Sequence, residues 1–185
     1  AMAFVQADAS NYAFTPGEFD LIFSRFGVMF FDDPVAAFTN IRQAVQADGR
    51  LAFCCWQSPK VNDWIRLPMQ AALQHLPAPP PPDPLAPGPF AFSDPERIRS
   101  ILSDSGFNAI DVQPYSTAMR FAKTANLRES VTELAMIGPI SGLLADQEPA
   151  VADTVFDTME AALSEHYHEG VLSLRGAIWF VTART

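Results

Sequence analysis

The chain has 185 residues, of which 49% are hydrophobic and 18% charged, enough for one domain with a buried core. Its formal net charge is −9, and no run of Lys or Arg offsets it, so the composition argues against nucleic acid as a partner. No apolar stretch approaches the roughly 20 residues of a membrane span. The adjacent Cys54 and Cys55 point to opposite faces of a strand, so we interpret them as reduced thiols of a cytoplasmic protein.

The first apolar segments indicate strands. Phe4-Val5 has the character of a strand end. Residues 19–31, FDLIFSRFGVMFF, begin with a run of aromatic and aliphatic side chains, which is typical of a strand buried on both faces of a parallel sheet. Ser24-Arg25 lies at the carboxyl end of this run, where open α/β sheets bind ligands. We therefore expect one wall of a small-molecule site at Ser24 to Phe26; the alternative is a buried strand that runs into an ordinary loop.

The next segments predict a helix, a strand and a second helix. Asp33-Pro34 is a helix start, with the aspartate as N-cap and the proline at the first helical position. Asp48-Gly49 is expected to end that helix and turn the chain. Residues 51–56, LAFCCW, have the pattern of another buried strand. Asn62 is expected to cap a helix that runs to about Leu76.

A proline-rich segment leads to the second half of the chain. Residues 77–89, PAPPPPDPLAPGP, predict a PPII-like surface connector. Ser93-Asp94 then starts a helix that Gly106 ends. Beyond it the pattern predicts an edge strand over 108–115, helices over 127–137 and from Pro149, and a last strand within 171–182. This order of elements predicts a single α/β domain over residues 1–185, with a mostly parallel sheet and helices on both faces.

Several short motifs, taken in their order and spacing, resemble one enzyme family. They are Asp8-Ala9, Phe19-Asp20, Ser24-Arg25-Phe26-Gly27, Asp33-Pro34 and Asp48-Gly49-Arg50-Leu51. They resemble the second half of a class I SAM-dependent methyltransferase, in the small-molecule group that includes ubiquinone and menaquinone biosynthesis enzymes. In that family a strand ends near a DA pair, FD leads into the fourth strand, and a GG turn precedes the fifth. The resemblance implies a Rossmann-like fold with an antiparallel C-terminal strand.

Two features of that family have no counterpart in these residues. Its glycine-rich loop and the acidic residue that holds the ribose would both precede Asp8, whereas all nine glycines lie at Gly17 or later. The resemblance therefore implies a partial methyltransferase domain whose N-terminal strands are missing and which is inactive as an isolated chain. We expect the exposed edge of the strand at 19–24 to pair with a second copy, giving a homodimer, or with the missing N-terminal segment.

The resemblance also assigns roles to individual residues. Asp8 would accept a hydrogen bond from the adenine amino group of S-adenosylmethionine, and the Ala9 backbone N–H would reach the adjacent ring nitrogen. The alternative for Asp8 is a loop aspartate that begins a turn. Ser24, Arg25 and Phe26 would line the methionine end of the cofactor, and the alternative for Arg25 is a surface salt bridge.

Aromatic side chains suggest a way to bind an apolar methyl acceptor. They could wall its pocket and stabilise a sulfonium by cation–π contact, and the alternative is plain core packing. The candidates are Phe30, Phe31, Trp56 and Trp64. His166 and His168 are two residues apart, which does not place them on one helix face, so no metal site is predicted.

Two functions from different classes remain open. The first is a SAM-dependent methyltransferase that acts on a small, apolar acceptor. In such an enzyme the protein mainly supplies proximity and orientation for an in-line displacement, so it needs no conspicuous catalytic side chain. The second is a non-catalytic α/β interaction module that kept the second half of the fold.

Overall fold

The computed structural model describes residues 3–81, 83–121 and 123–185. The chain divides into two compact units. Unit 1 comprises Ala1–Ser58, Asp83–Tyr115 and Ile178–Thr185, and unit 2 comprises Pro59–Pro82 and Ser116–Ala177. The strands are β1 (Phe19–Arg25), β2 (Val45–Trp56), β3 (Asn108–Arg120), β4 (Tyr167–His168) and β5 (Val171–Arg184). The α-helices are α1 (Pro34–Ala44), α2 (Asp63–Ala72), α3 (Pro95–Asp104), α4 (Leu127–Ile137), α5 (Ile140–Leu144) and α6 (Pro149–Leu163).

The start of α1 is as predicted, but its end is not. The Asp33 carboxylate accepts a hydrogen bond from the Ala36 backbone N–H at 3.0 Å, as expected for an N-cap followed by proline. The helix ends at Ala44, and the chain passes directly into β2. The prediction that Asp48-Gly49 ends the helix is therefore wrong. Asp48 has φ of 61° and lies inside β2, where the register between β1 and β2 shifts.

The caps of α3 follow from the sequence. Asp94, at the second position of the predicted pair, accepts from the Glu96 N–H at 3.0 Å. At the other end Gly106 has φ of 83°. Its N–H donates to the Ser103 carbonyl at 2.9 Å, and the Phe107 N–H donates to Leu102 at 3.0 Å. This pair of bonds is the Schellman motif, in which a left-handed residue strongly favours glycine.

The sheet has the strand order β1-β2-β5-β3, and β4 pairs with β5. β1 and β2 are parallel, as predicted, and Ile22 stands opposite Leu51. β2 and β5 are antiparallel, with Phe53 opposite Val181. β3 also runs antiparallel to β5, since Tyr115 contacts Phe180 while Phe121, further along, bonds to Leu172. Among the described strands only β1 and β2 are parallel, so the prediction of a mostly parallel sheet holds for that pair alone.

Unit 1 has its core on one face of the sheet. Phe38 and Ile41 of α1, with Ile98 and Leu102 of α3, pack against the buried side chains of β2 and β5. On β2 buried residues alternate with partly exposed ones from Leu51 to Trp56. β1 is largely exposed, and Phe23 has 76% of its surface accessible. Two predictions therefore fail among the described elements of unit 1. β1 is an edge strand and is not buried on both faces, and α1 and α3 cover only one face of the sheet.

The N-terminal residues do not form the predicted strand end. Residues 3–8 have no regular structure, and Phe4 and Val5 are 89% and 67% exposed. Ala1 and Met2 lie outside the described residues. A strand needs a hydrogen-bonded neighbour, and the described strands place none beside Phe4-Val5.

Unit 2 is built around α2, α4 and α6. Its buried residues include Ile65 on α2, Leu134 on α4 and Met159 on α6. The predicted helix after Asn62 ends at Ala72, before Leu76. Asn62 stands at the N-cap position, as predicted, but its side chain makes no capping hydrogen bond. That side chain is fully buried, and its amide donates to the Ala177 carbonyl at 3.1 Å while its oxygen accepts from the Ala177 N–H at 2.8 Å.

The remaining predicted segments agree with the structure. Residues 77–81 and 83–89 contain neither helix nor strand, and Pro82 of this connector lies outside the described residues. Helices occupy 127–137 and begin at Pro149, as expected, whereas α5 was not predicted. In the parts of the chain that the structure covers, no helix has both the length and the apolar character needed to cross a membrane.

Candidate functional site

The carboxyl end of β1 leads into a strained aromatic residue. Phe26 has φ of 57°, a conformation that is uncommon for an aromatic side chain. Its N–H donates to the Cys54 carbonyl on β2 at 3.1 Å. The Phe26 ring stacks on Trp56, with ring centroids 4.5 Å apart and an interplanar angle of 17°. Two predicted site residues, one in the cofactor set and one in the acceptor set, are therefore in direct contact.

Asp8 begins a tight turn beside this strand. Its carboxylate accepts from the Ser10 N–H at 2.9 Å and from the Asn11 side-chain amide at 3.4 Å. Its backbone carbonyl accepts from the Tyr12 N–H at 2.9 Å. The bond from the Ser10 amide holds the pKa of the Asp8 carboxyl below its ordinary value of 3.8. Asp8 is thus an exposed, ionised acceptor at a turn, which is the alternative considered for it and is also compatible with a ligand-binding role.

A helix residue that the motifs did not indicate fixes this turn. Asn40 on α1 donates from its side-chain amide to the carbonyl of Ala9 at 3.2 Å and to that of Tyr12 at 2.9 Å. A polar residue between the buried Phe38 and Ile41 was the available signal, but helical spacing alone does not reveal what it contacts.

A cavity of about 230 Å³ lies between the turn and the start of α1. It brings together Asp8 from the predicted cofactor set with Phe30 and Phe31 from the predicted acceptor set. Three carboxylates line it, so it suits a cationic or hydrogen-bond-donating group rather than an anion. Its lining residues are Asp8, Ser10, Phe30, Phe31, Asp32, Asp33, Ala36 and Ala37.

A second, larger and more apolar cavity of about 470 Å³ adjoins β1 and shares Phe31 with the first. Ala9 and Ser24 of the predicted cofactor set lie on its wall. Phe14, which the sequence motifs did not indicate, is also part of it. The remaining lining residues are Phe19, Leu21, Ile22, Phe23, Gly27, Val28, Ile41 and Leu51.

Some predicted residues line neither of these two cavities. Arg25 is exposed at the end of β1, and Phe26 and Trp56 contact each other beside it. Trp64 belongs to unit 2, where it is only 8% exposed and its indole N–H donates to the Asn62 side-chain oxygen at 3.1 Å. That geometry is the core packing considered as its alternative. Within the described residues no group of His, Cys, Asp and Glu could hold a metal ion.

The comparisons with known proteins concern the first 53 residues and the fold. Residues 1–53, which contain the Asp8 turn, β1 and most of the cavity walls, match the family model for a methyltransferase domain. A methyltransferase candidate from Bacillus halodurans C-125 is 15% identical with a TM-score of 0.52, and the alignment covers 98% of this chain and 76% of that one. The YcgJ protein of Bacillus subtilis is 13% identical with a TM-score of 0.54, covering 98% and 70%.

Another structure, phosphoethanolamine N-methyltransferase 2 of Haemonchus contortus in complex with S-adenosyl-L-methionine, is 17% identical with a TM-score of 0.45. The alignment covers 96% of this chain, which spans only 36% of that protein. No curated protein matches the chain.

Residues 1–53 thus match a methyltransferase-domain family, and the two Bacillus structures share the fold of the chain. The resemblance inferred from the motifs agrees with the methyltransferase-domain match of residues 1–53, and the α/β, Rossmann-like fold is confirmed. The ubiquinone and menaquinone group stays a prediction.

Proposed function

We propose that the chain provides the adenine and acceptor side of a SAM-dependent methyltransferase acting on a small, apolar acceptor. The observation that carries this proposal is the cavity in which the Asp8 carboxylate lies with Phe30 and Phe31. It lies within the segment that matches the methyltransferase-domain model. A hydrogen-bond acceptor beside aromatic rings suits a purine with an exocyclic amino group and a neighbouring apolar ligand.

The proposed adenine contacts rest on the Asp8 turn. Because its pKa is lowered by the Ser10 amide, the Asp8 carboxylate stays ionised and can accept a hydrogen bond from an amino group. Asn40 holds the Ala9 carbonyl, which fixes the orientation of the neighbouring peptide groups. Ser24, at the end of β1, would lie near the methionine part of S-adenosylmethionine. Arg25 and Phe26 remain predicted to line that same part of the cofactor.

The proposed acceptor site is aromatic. Phe30 is 54% exposed, while Phe31 packs edge-on against Phe38 at 5.9 Å and presents its remaining surface to both cavities. Trp56, stacked on Phe26, would extend this wall. S-adenosylmethionine, when bound, supplies the electrophilic methyl group. The residues of this chain would orient the acceptor and exclude water, which suffices for an in-line displacement on a sulfonium.

We also propose that these residues alone do not bind S-adenosylmethionine productively. Neither of the two cavities has a Lys, Arg or His in its lining, and Arg25 of the predicted cofactor set lies outside both. A methionine carboxylate held in either cavity would therefore lack a cationic partner there, and in the first cavity it would face three carboxylates. Little binding free energy would then remain after the entropy of association is overcome.

Titration calorimetry with S-adenosylmethionine and with its demethylated product tests both statements. We expect weak or undetectable heat from this chain. Saturable, stoichiometric binding that Asp8→Ala abolishes would support the adenine site and contradict the second statement. The exposed Asp146 of unit 2, changed to Ala, is the matched control. Strong binding that Asp8→Ala leaves unchanged would contradict the proposed adenine site itself.

The second candidate, a non-catalytic interaction module, is favoured by one observation. The backbone edge of β1 has β2 as its one neighbour among the described strands, and exposed apolar edges are usually covered. We propose that a second copy pairs with this edge.

Light scattering should then give the mass of a dimer, and hydrogen exchange should show slow amides at residues 21–23. A monomer with fast exchange there would contradict the pairing. A monomer with slow exchange would favour the alternative, an edge strand supplied by another segment.

A further inference from the structure

Unit 2 has a surface cavity of about 250 Å³ where β3 and β5 lie side by side. Its lining combines one arginine with hydroxyl side chains and contains no acid. The lining residues are Ser116, Thr117, Ala118, Ser173, Leu174 and Arg175. None of them lines either of the two cavities described above. Every polar side chain in this lining can donate a hydrogen bond, so the cavity suits an anion.

The register of the two strands accounts for the cavity. The Phe121 N–H donates to the Leu172 carbonyl at 2.9 Å, and counting back along the antiparallel pair places Ala118 opposite Arg175. Residues that stand opposite each other share a face of the sheet. The small side chain of Ala118 therefore leaves space beside the guanidinium group of Arg175, and Ser116 borders the same space.

A second arginine shares this face. By the same count Arg120 stands opposite Ser173, so its side chain lies on the face of Arg175. Leu172 and Leu174, which alternate with Ser173 and Arg175 along β5, face the other way and are buried. Arg120 and Arg175 are exposed. They are diagonal neighbours roughly 7–8 Å apart, so both guanidinium groups can reach one small ligand.

The same alternation continues along both strands. Val112 on β3 and Val181 on β5 share the face of Ser116 and Arg175, and both valines belong to the buried core of unit 1. The exposed Phe180 lies on the opposite face, because it alternates with Val181. The polar cavity is thus a local change of composition on a face whose apolar residues are buried.

Neither arginine is neutralised by an acid of the described residues. The ion pairs there are formed by Arg66, Arg99 and Arg128. The chain has 21 Asp and Glu against 12 Lys and Arg, so acids are abundant, yet none that the structure describes pairs with Arg120 or Arg175. Like charges at neighbouring positions of a sheet are destabilising, and an anion bound between the two arginines would remove that repulsion.

The number of donors selects the kind of anion. One arginine fork satisfies both oxygens of a carboxylate, so a single guanidinium group would be enough for that ligand. Here a second guanidinium group and the hydroxyls of Ser116 and Ser173 are also available. A phosphate dianion has at least three acceptor oxygens, and its charge matches two arginines.

We propose that Ser116, Arg120, Ser173 and Arg175 bind a phosphate dianion, which is either free phosphate or the phosphate group of a small monoester. The two guanidinium groups donate to oxygens of the anion, and the two hydroxyls donate to the remaining ones. The site shares no residue with the cavities proposed for methyl transfer and is independent of that function.

NMR titration of isotope-labelled protein tests the proposal. Inorganic phosphate, phenyl phosphate and benzoate are added separately at constant ionic strength, and the backbone amide and arginine Nε–H signals are followed. We expect saturable shifts at residues 116–120 and 173–175 with phosphate, and binding at least roughly tenfold weaker for benzoate. Tighter binding of phenyl phosphate would support the site and identify a monoester as the source. Tighter binding of inorganic phosphate would support it with free phosphate as the source.

Three variants separate the site from general charge. Arg175→Gln should weaken phosphate binding about tenfold or more, and Arg175→Lys should also weaken it, because lysine keeps the charge but not the fork. Arg50→Gln removes an exposed arginine of unit 1 and should leave binding unchanged. Circular dichroism establishes that each variant is folded. Equal binding of benzoate and phosphate, shifts confined to other residues, or binding that Arg175→Gln leaves unchanged overturns the proposal. So does an equal loss in Arg175→Gln and Arg50→Gln, since binding would then follow net charge alone.

Discussion

The side-chain amide of Asn40 donates to the carbonyl of Ala9 across 3.2 Å, linking the middle of α1 to the turn that carries Asp8. A second bond, to the Tyr12 carbonyl at 2.9 Å, fixes the other end of the same turn. Within the turn itself, the carboxylate and the backbone carbonyl of Asp8 accept short-range hydrogen bonds from the residues that follow it. Asn40 therefore helps to fix the position of the turn relative to the cavities.

Replacing Asn40 should release the turn. We expect Asn40→Ala to lower the free energy of unfolding by roughly 1–2 kcal/mol, because two carbonyls lose their donor. The Asn11 and Tyr12 amides, which bond to the Asp8 carbonyl, should exchange faster with deuterium. The matched control is Asn108→Ala, an exposed asparagine at the start of β3. Unchanged exchange at both amides would show that the turn is held without Asn40.

Gly49 occupies a position where a side chain has no room. A Cβ there would collide with Val45 Cγ1 and would lie 2.9 Å from the Gln46 carbonyl oxygen. We expect Gly49→Ala to destabilise the protein by about 1–3 kcal/mol through this overpacking, measured by urea denaturation. Gly88→Ala is the control, because an added Cβ meets nothing within 4 Å there. Similar unfolding midpoints for the two variants would contradict the predicted collision.

Phe38 is the central ring of unit 1. It is fully buried and contacts Phe53 and Phe92, with ring centroids 5.7 and 6.2 Å away. Phe38→Ala should cost about 3–5 kcal/mol of stability. Phe180→Ala, on the exposed face, should change stability by no more than about 1 kcal/mol. Chemical denaturation of both variants checks this, and a comparable loss for Phe180 would mean that its face is covered in solution.

The Cys55 thiol should make stability fall in alkaline solution. Burial raises its pKa from 9.0 to about 12. Below pH 9 the thiol is protonated in both states, and its contribution to stability is complete. Between pH 9 and 12 the unfolded chain ionises first, so stability is lost with a slope approaching about 1.4 kcal/mol per pH unit. Cys55→Ala should lose less stability over this window. Parallel pH profiles of the two proteins would contradict the assignment.

Local signals in the sequence predicted the elements well. Asp33-Pro34, Asp94 and Gly106 act through bonds within a few residues, and the structure has all three where they were expected. The apolar runs placed β1 and β2 correctly as strands, and their parallel pairing followed from the family resemblance. The resemblance to methyltransferases followed from the order of motifs, and residues 1–53 match the model for a methyltransferase domain.

The failed predictions concern relationships across the chain. The apolar character of Leu21 and Phe23 indicated burial, but apolar residues at a sheet edge look the same in sequence as those in its centre. Asparagine is a favoured N-cap residue, yet the side-chain amide of Asn62 donates to Ala177, far away in the chain. The same limit applies to the candidate site. Sequence motifs pointed to Asp8 and Phe31, but not to Asn40 and Phe14, which tertiary structure brings beside them.

The strand order has a consequence for synthesis. β5 lies between β2 and β3 in the sheet, although residues 178–185 are the last part of unit 1 in the chain. A nascent chain therefore completes β1, β2 and β3 before the strand that joins β2 to β3 has left the ribosome. Until then the inner edge of β2 has no partner, and unit 1 cannot close. A premature stop anywhere before residue 178 would consequently remove the middle of the sheet rather than its margin.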